Sequence, residues 1–412
     1  MSDVPKGIDM NAEYSSIPKI EENNYKKLLK HYKFNDTDAS LLFGMSAITV
    51  EHIDELIRRF YEFIFEFDHA RMFLHNKEIL TRHEKGIRNW YMNLFCGEYN
   101  QSYFEKLQFI SEIHVRIGLP AHYVNTAFSF VRGFVKEVIV KEKKYEVLSA
   151  WDKIIDINLD MLTIAYREEE QSKLLDEIVL LKNAVESKQI LPHVQAIVNT
   201  QKGNIEKYEC LMRLKDSKKQ TYVSVFPYLK TAKRIKLYEK MMRIMLDKSF
   251  EMFSNKQVEF SLNLSYEDIS NSAFIGYLYQ KVGEFDKPSN IIFEILETDF
   301  IEDFSVVEKF TQKIRTFGCK IAIDDFGSGY SSMENILKLK PEIIKIDGSL
   351  IKDIDKSSES ITIVRNIVNM AKELKAKTVA EYVHSKDVYG VVKKLGVDYL
   401  QGFYLHKPKA FV

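Results

Sequence analysis

Between Gly133 and Gly203 the chain carries no glycine, and Pro192 is the only proline in that stretch. Such a run leaves the backbone almost no easy place to turn, so it predicts long uninterrupted elements, helices above all. The scarcity is general: there are 16 Gly and 8 Pro in 412 residues, against about 29 and about 20 at average usage. Ten of the 16 glycines lie from Gly203 onward. A chain of this length has room for two or three domains of about 100–200 residues each. Its 45% hydrophobic and 29% charged residues are those of a globular protein and not of a disordered one.

The gap divides two textures. Residues 20–165 are aromatic-rich and read as helix after helix. Ile53, Leu56, Ile57, Phe60, Ile64 and Phe67 recur at spacings of three and four, as do Phe128, Val131, Phe134 and Val138. In the charged stretch Arg167–Gln189, Leu174, Ile178, Leu181 and Val185 form a two-heptad seam. It suits either a dimeric signalling helix or a helix lying on a neighbouring domain. From Leu191 short β-like runs alternate with amphipathic helical segments. The runs are Val258–Leu264, Ile291–Ile295, Lys320–Ile323, Ile343–Ile346, Thr378–Ala380 and Tyr399–Leu400, with Ile205–Tyr208 upstream. This alternation predicts a parallel sheet with crossover helices.

Lys+Arg and Asp+Glu are 59 each, so the net charge is zero. A bulk DNA or RNA binder carries a basic excess, and none is expected here. Cys96, Cys210 and Cys319 are odd in number and far apart, which fits neither a disulfide framework nor a Cys-x-x-Cys metal site. The N-terminus is polar, and no apolar run approaches about 18 residues. The sequence therefore predicts a soluble, cytoplasmic chain with no membrane partner.

A polar residue stands at or beside the end of each β-like run: Glu209, Asn263, Glu294, Asp324 with Asp325, Lys345, Glu381 and Gln401. In a (β/α)8 barrel the C-terminal strand ends converge on one face, where active sites are built. Polar strand ends facing solvent account for one or two of these, but not for five carboxylates, two amides and a lysine. Carboxylates crowded in one pocket cannot all ionise side by side without cations. Hard divalent ions with oxygen ligands, Mg²⁺ or Mn²⁺, resolve the conflict. Two such ions about 3.5–4 Å apart suit attack of water on a phosphodiester.

The run Asp324-Asp325-Phe326-Gly327-Ser328-Gly329-Tyr330-Ser331-Ser332 resembles the signature loop of EAL-domain cyclic di-GMP phosphodiesterases. Tyr208-Glu209-Cys210-Leu211-Met212-Arg213 is similar to the segment that names the family. Ser261–Ser265, Phe293–Glu297, Lys345–Asp347, Ala380-Glu381 and Gln401-Gly402 follow in the family's order. The resemblance implies that Glu209, Asn263, Glu294 and Asp324 hold one metal. Asp324 would bridge to a second ion that Asp325 completes. It makes Lys345 the residue that positions or polarises the attacking water. Glu381 becomes the base or a ligand of the second ion, and Gln401 a support for water and substrate. It has Glu297 holding the Asp325–Tyr330 loop, and Gln195, Arg213 and Asp347 meeting the substrate. The barrel it implies has one strand reversed.

The chain departs from the family pattern in four places. Cys210 replaces an alanine and is expected to pack. Tyr382-Val383-His384 follows Glu381 where the family has Gly-Val-Glu, and Gly348 stands where a basic residue is common. Two alternatives stay open: a receptor that binds cyclic di-GMP without cutting it, and an enzyme for another nucleotide. No Gly-Gly-Asp-Glu-Phe-like cyclase motif is present.

In the first half, Ile113-His114-Val115-Arg116-Ile117-Gly118-Leu119-Pro120, with Tyr123 after it, resembles the proximal-histidine block of globin-coupled sensors. Phe60-Tyr61 lies 53 residues before His114, as an early-helix pair does in that family. The resemblance implies haem b, with His114 as the iron ligand and Tyr61 as the distal hydroxyl for O₂, NO or CO. His83 and Trp90 are further candidates to line the pocket. A haem-free globin-like regulatory domain remains the alternative. Together the readings give a multidomain chain: an extension (1–19), an all-α globin-like sensor (20–165), a helical linker (166–190) and a TIM-like (β/α)8 EAL barrel (191–412), expected as a homodimer.

Overall fold

The computed structural model describes residues 22–216, 219–300, 303–327 and 333–411. The expected extension, 1–19, and Ser328–Ser332 of the signature loop lie outside them. The chain divides into two compact units, Met1–Lys173 and Leu174–Val412.

The first unit is helical and globin-like. Its helices are α1 (Glu22–His31), α2 (Asp36–Phe43), α3 (Ser46–Ile64), α4 (Asp68–Phe73), α5 (Lys77–Asn93), α6 (Gln101–Arg116), α7 (Ala121–Lys141) and α8 (Leu148–Glu186). The starts are written in asparagine. Asn35, Asn76 and Asn100 accept backbone N–H groups in the first turns of α2, α5 and α6, satisfying donors that have no partner inside the helix. Just past its cap Ile117, helix α6 is closed by Gly118, whose φ of +72° suits glycine. The Ile53–Phe67 stripe is one helix only as far as Ile64, and Phe67 starts α4. Ile53, Leu56, Ile57 and Phe60 are buried. At the centre Trp151 stacks on Phe95 at 5.5 Å.

Helix α8 is 39 residues long, as the glycine gap demands. Its seam is not left free along its length. Leu181 and Ala184 are buried in the core of the second unit, with Leu180 and Val185 against it. Leu175 and Val179 remain exposed.

The second unit is a barrel. Its strands are β1 (Ile190–Asn199), β2 (Ile205–Asp216), β3 (Thr221–Ser224), β4 (Glu259–Leu264), β5 (Ile291–Leu296), β6 (Lys320–Phe326), β7 (Ile343–Ile346), β8 (Lys377–Ala380), β9 (Tyr399–Leu400) and β10 (Lys409–Ala410). Eight of them close on themselves in the order β1-β2-β4-β5-β6-β7-β8-β9, with β3 and β10 as short additions on β2 and β1. β1 runs antiparallel to both neighbours, and the remaining pairs within the ring are parallel. Helices such as Tyr238–Phe253 and Ser358–Glu373 make the crossovers.

Strand side chains alternate between faces, so the barrel interior is built in layers two residues apart. Ile197, Ile292, Ala322, Ile343, Val379 and Tyr399 form an apolar layer of their own. Two residues further along β5–β9 stand Glu294, Asp324, Lys345, Glu381 and Gln401, while β1, which runs the other way, offers Gln195 two residues earlier. The apolar layer is thus the floor of a polar cup. Below the floor, Glu259 pairs with Lys207 and Lys320. Among the described residues, no helix is long and apolar enough to cross a membrane.

Candidate functional site

The cup centres on Lys345, whose side chain is buried. Its Nζ lies 2.7 Å from Glu294, 2.8 Å from Asp324, 2.8 Å from Glu381 and 3.8 Å from Glu209. Burial alone would lower a lysine, but these four carboxylates hold Lys345 well above its ordinary value. Glu209 accepts hydrogen bonds from Asn263 at 2.9 Å and from Gln401 at 2.6 Å. Gln401 also donates to Gln195 at 3.2 Å, and Gln195 donates to the backbone carbonyl of His406 at 3.0 Å. Burial pushes Glu209 up, yet Lys345, Asn263, Gln401 and Arg213 bring it below the usual carboxylate range.

The other acids shift upward. Burial, with Glu209 and Asp324 against the opposing pull of Lys345, raises Glu294 well above its usual range. Burial pushes Glu381 up to about 8 although Lys345 opposes it. Burial, then Asp324 and Asp347, push Asp325 up to about 6. One ammonium and the half-buried Arg213 therefore face Glu209, Glu294, Asp324, Asp325 and Glu381. Without cations the cup must hold protons. Asp324, Asp325 and Glu381 each offer a ligand atom within 4.8 Å of the others. The buried Oε1 of Gln401 has no hydrogen-bond partner. An all-oxygen donor set with excess negative charge, and a polar atom awaiting a partner, fit hard divalent ions with their waters.

Local backbone explains the placement. Asp325 has φ +53°, at a register shift between β6 and β7. The turn puts consecutive aspartates to use where strict alternation would point them apart. Glu297 accepts a hydrogen bond from the Gly327 N–H at 2.9 Å, tying the start of the signature loop. Gly402 admits no side chain, because a Cβ there would lie 2.1 Å from the Val383 carbonyl oxygen. Asp347 caps the helix Gly348–Lys352 and lies near enough to Asp325 to help raise its carboxyl. Arg213 donates to the Met212 carbonyl at 3.0 Å. Cys210 is buried and burial raises its thiol, so it packs beside the ligand as an inert side chain.

An EAL domain model matches residues 179–408, more than half of the chain. The chain belongs to the EAL family. A Protoglobin model matches residues 21–172, so a protoglobin domain precedes the EAL domain. The chain is 36% identical over 151 residues to the cyclic di-GMP phosphodiesterase PdeA of Borreliella burgdorferi, covering 36% of this chain and 22% of that protein. It is 27% identical over 251 residues to the cyclic di-GMP phosphodiesterase PdeF of Escherichia coli, covering 59% and 33%. The chain thus spans a third or less of the length of these relatives. The solved PaMucR phosphodiesterase in complex with cyclic di-GMP superposes with a TM-score of 0.54 at 25% identity, over 58% of this chain and 98% of that one.

In the protoglobin domain, His114 lies in the last turn of α6. Its Nδ1–H donates to the Ile110 carbonyl at 2.8 Å, which fixes the tautomer with a lone pair on Nε2. Burial lowers its pKa, so the ring is neutral, as an iron ligand requires. Phe60 and Phe63 pack on Phe130, and Trp90 packs on Phe128. These residues fit a haem. Tyr61 does not stand alone: its hydroxyl lies 2.8 Å from Nδ1 of His83 on α5. Burial, with the imidazole of His114 close by, holds His83 down to about 4. Sequence reading placed His83 only as a pocket-lining candidate. Nothing in the residue spacing pairs it with Tyr61, because the pairing depends on how α3 and α5 pack.

Proposed function

We propose that the EAL domain hydrolyses cyclic di-GMP to the linear dinucleotide and that the protoglobin domain controls it as a haem-based gas sensor. The observation that carries the first part is the cup around Lys345: five carboxylates, two amides and one buried ammonium on the C-terminal face of a closed barrel.

Two Mg²⁺ or Mn²⁺ ions, held by Glu209, Asn263, Glu294, Asp324 and Asp325, would supply Lewis acidity at the phosphodiester. The chain's own groups do the rest. Lys345 orients the attacking water and compensates charge as the leaving oxygen departs. Glu381, a carboxylate 2.8 Å from Lys345, accepts the water proton. Gln401 offers its unpaired Oε1 to that water, and Gln195 holds the Gln401 amide. Arg213 and Asp347 flank the substrate, with Arg213 pairing a phosphate oxygen through its planar fork. Glu297 keeps the Asp325 turn in place through Gly327.

In the sensor (20–165), His114 would hold haem b and Tyr61 would hydrogen-bond bound O₂. Tyr61, with its hydroxyl 2.8 Å from His83 Nδ1, would respond to that ligand, and the stretch 166–190 would relay the response to the barrel (191–412) in a homodimer. PdeF and PaMucR support the substrate, and the protoglobin match supports the haem.

Purified full-length protein supplied with Mn²⁺ and cyclic di-GMP tests the reading. Linear pGpG must accumulate, and chelation with EDTA or the substitution Glu209→Ala must stop it. Tight binding of cyclic di-GMP with no product would make the domain a receptor instead.

A further inference from the structure

Tyr382 directly follows Glu381 and has φ +52°. A tyrosine in this left-handed conformation is strained and persists only where its surroundings hold it. The surroundings are on view. A Cβ added at Gly348 would lie 3.0 Å from Cβ and 3.5 Å from Cγ of Tyr382. Tyr382 therefore takes the space that any side chain at position 348 would fill. Its ring meets the ring of His384 edge-on at 5.5 Å. His384 Nε2–H in turn donates to the Lys352 carbonyl at 2.8 Å.

Those contacts do not bury the ring, which stays 54% exposed. A packing role would bury it, and a glycine would relieve the strain at no loss to a solvent-facing turn. A strained backbone that keeps an aromatic face outside is characteristic of a ligand clamp. The location agrees. Tyr382 directly follows Glu381 in the chain, and its Cβ lies against Gly348, which directly follows Asp347. Both of its contacts with the fold are thus to segments that carry residues of the site. The ring offers a flat apolar surface where Gly348 has removed any side chain that could compete for the place.

We propose that Tyr382 is a substrate-positioning residue that stacks on one purine base of the cyclic dinucleotide, with Gly348 small so that the ring can lie there. The inference rests on cyclic di-GMP being the substrate of this site. An aromatic face stacks on any base, so it contributes affinity and orientation of the phosphodiester more than base choice.

Full-length protein with Tyr382→Gly, which removes ring and strain together, and Tyr382→Phe, which keeps the ring, tests this. Tyr382→Gly is expected to raise KM for cyclic di-GMP about tenfold or more, with kcat changed much less, and Tyr382→Phe to resemble the parent. An analogue with 2-aminopurine in place of one guanine gives a direct readout. Its fluorescence is expected to be quenched on binding to the parent and to Tyr382→Phe, and to stay bright on Tyr382→Gly. If the parent forms linear product and Tyr382→Gly keeps the same KM and quenching, the inference falls while the site reading stands. The same holds if Tyr382→Gly lowers kcat alone, since the ring would then act only on the backbone of Glu381. A parent that forms no linear product overturns the site reading, and this inference with it.

Discussion

Nζ of Lys345 lies 2.8 Å from Oε1 of Glu381, at the centre of a cup where it also meets Glu294 and Asp324. A buried cation shared among carboxylates cannot be removed without leaving charge unpaired. Lys345→Met is therefore expected to destabilise the metal-free barrel by about 3–5 kcal/mol and to lower turnover by about a hundredfold or more. Urea unfolding of the EDTA-treated protein and product assays check the two effects. A substitution that leaves both unchanged would remove Lys345 from the account.

Glu381→Ala removes the group placed to take the water proton. Turnover should drop about 10²- to 10⁴-fold, while KM for cyclic di-GMP moves little. A rate within a few fold of the parent would show that another group is the base.

Gly402→Ala tests the geometry that delivers Gln401. The new Cβ would meet the Val383 backbone at 2.1 Å, where no flexible side chain can give way. The barrel is expected to lose about 3 kcal/mol or more, read from the urea midpoint. An unaltered midpoint would contradict the close approach of the Gly402 and Val383 backbones.

How much of this was legible in the sequence differs from residue to residue. The parallel strands could be read because each is a short apolar run closed by a polar residue, and the same residues turned out to line one cup. β1 could not be read this way. It follows α8 after only Ser187–Gln189 and contains Pro192 and His193. Pro192 is tolerated because it pairs with Met212 on one side, while β9 and β10 reach β1 only at other residues. The heptad seam of α8 carried two meanings that periodicity cannot separate, and Leu181 shows that part of it serves the barrel core. The Tyr61–His83 pair and the Tyr382–Gly348 fit depend on packing between distant segments, so no local pattern announces them.

Trp90 and Trp151 are the two tryptophans of the chain, and both lie in the sensor unit, so their fluorescence follows that unit alone. His83 is depressed from 6.5 to about 4 in the folded protein. Its contribution to stability is present above about 6.5 and is lost as pH falls through about 4, because the unfolded chain binds the proton first. The haem-free sensor should therefore lose stability on acidification, and His83→Leu should lose less. Equal acid sensitivity in the two proteins would contradict the buried, neutral His83.

His114→Ala should purify without a Soret band, and Tyr61→Phe should release O₂ faster than the parent. Unchanged haem content in the first would displace His114 as the ligand. An unchanged release rate in the second would leave Tyr61 as packing.

Turnover of cyclic di-GMP by the full-length protein, measured side by side in air and under nitrogen with the visible spectrum recorded, tests the joined account most directly. The account predicts linear product in both conditions, a Soret shift between them, and a difference in rate that His114→Ala abolishes. Equal rates across a clear Soret shift would contradict gas control, and absence of linear product in either condition would contradict the phosphodiesterase.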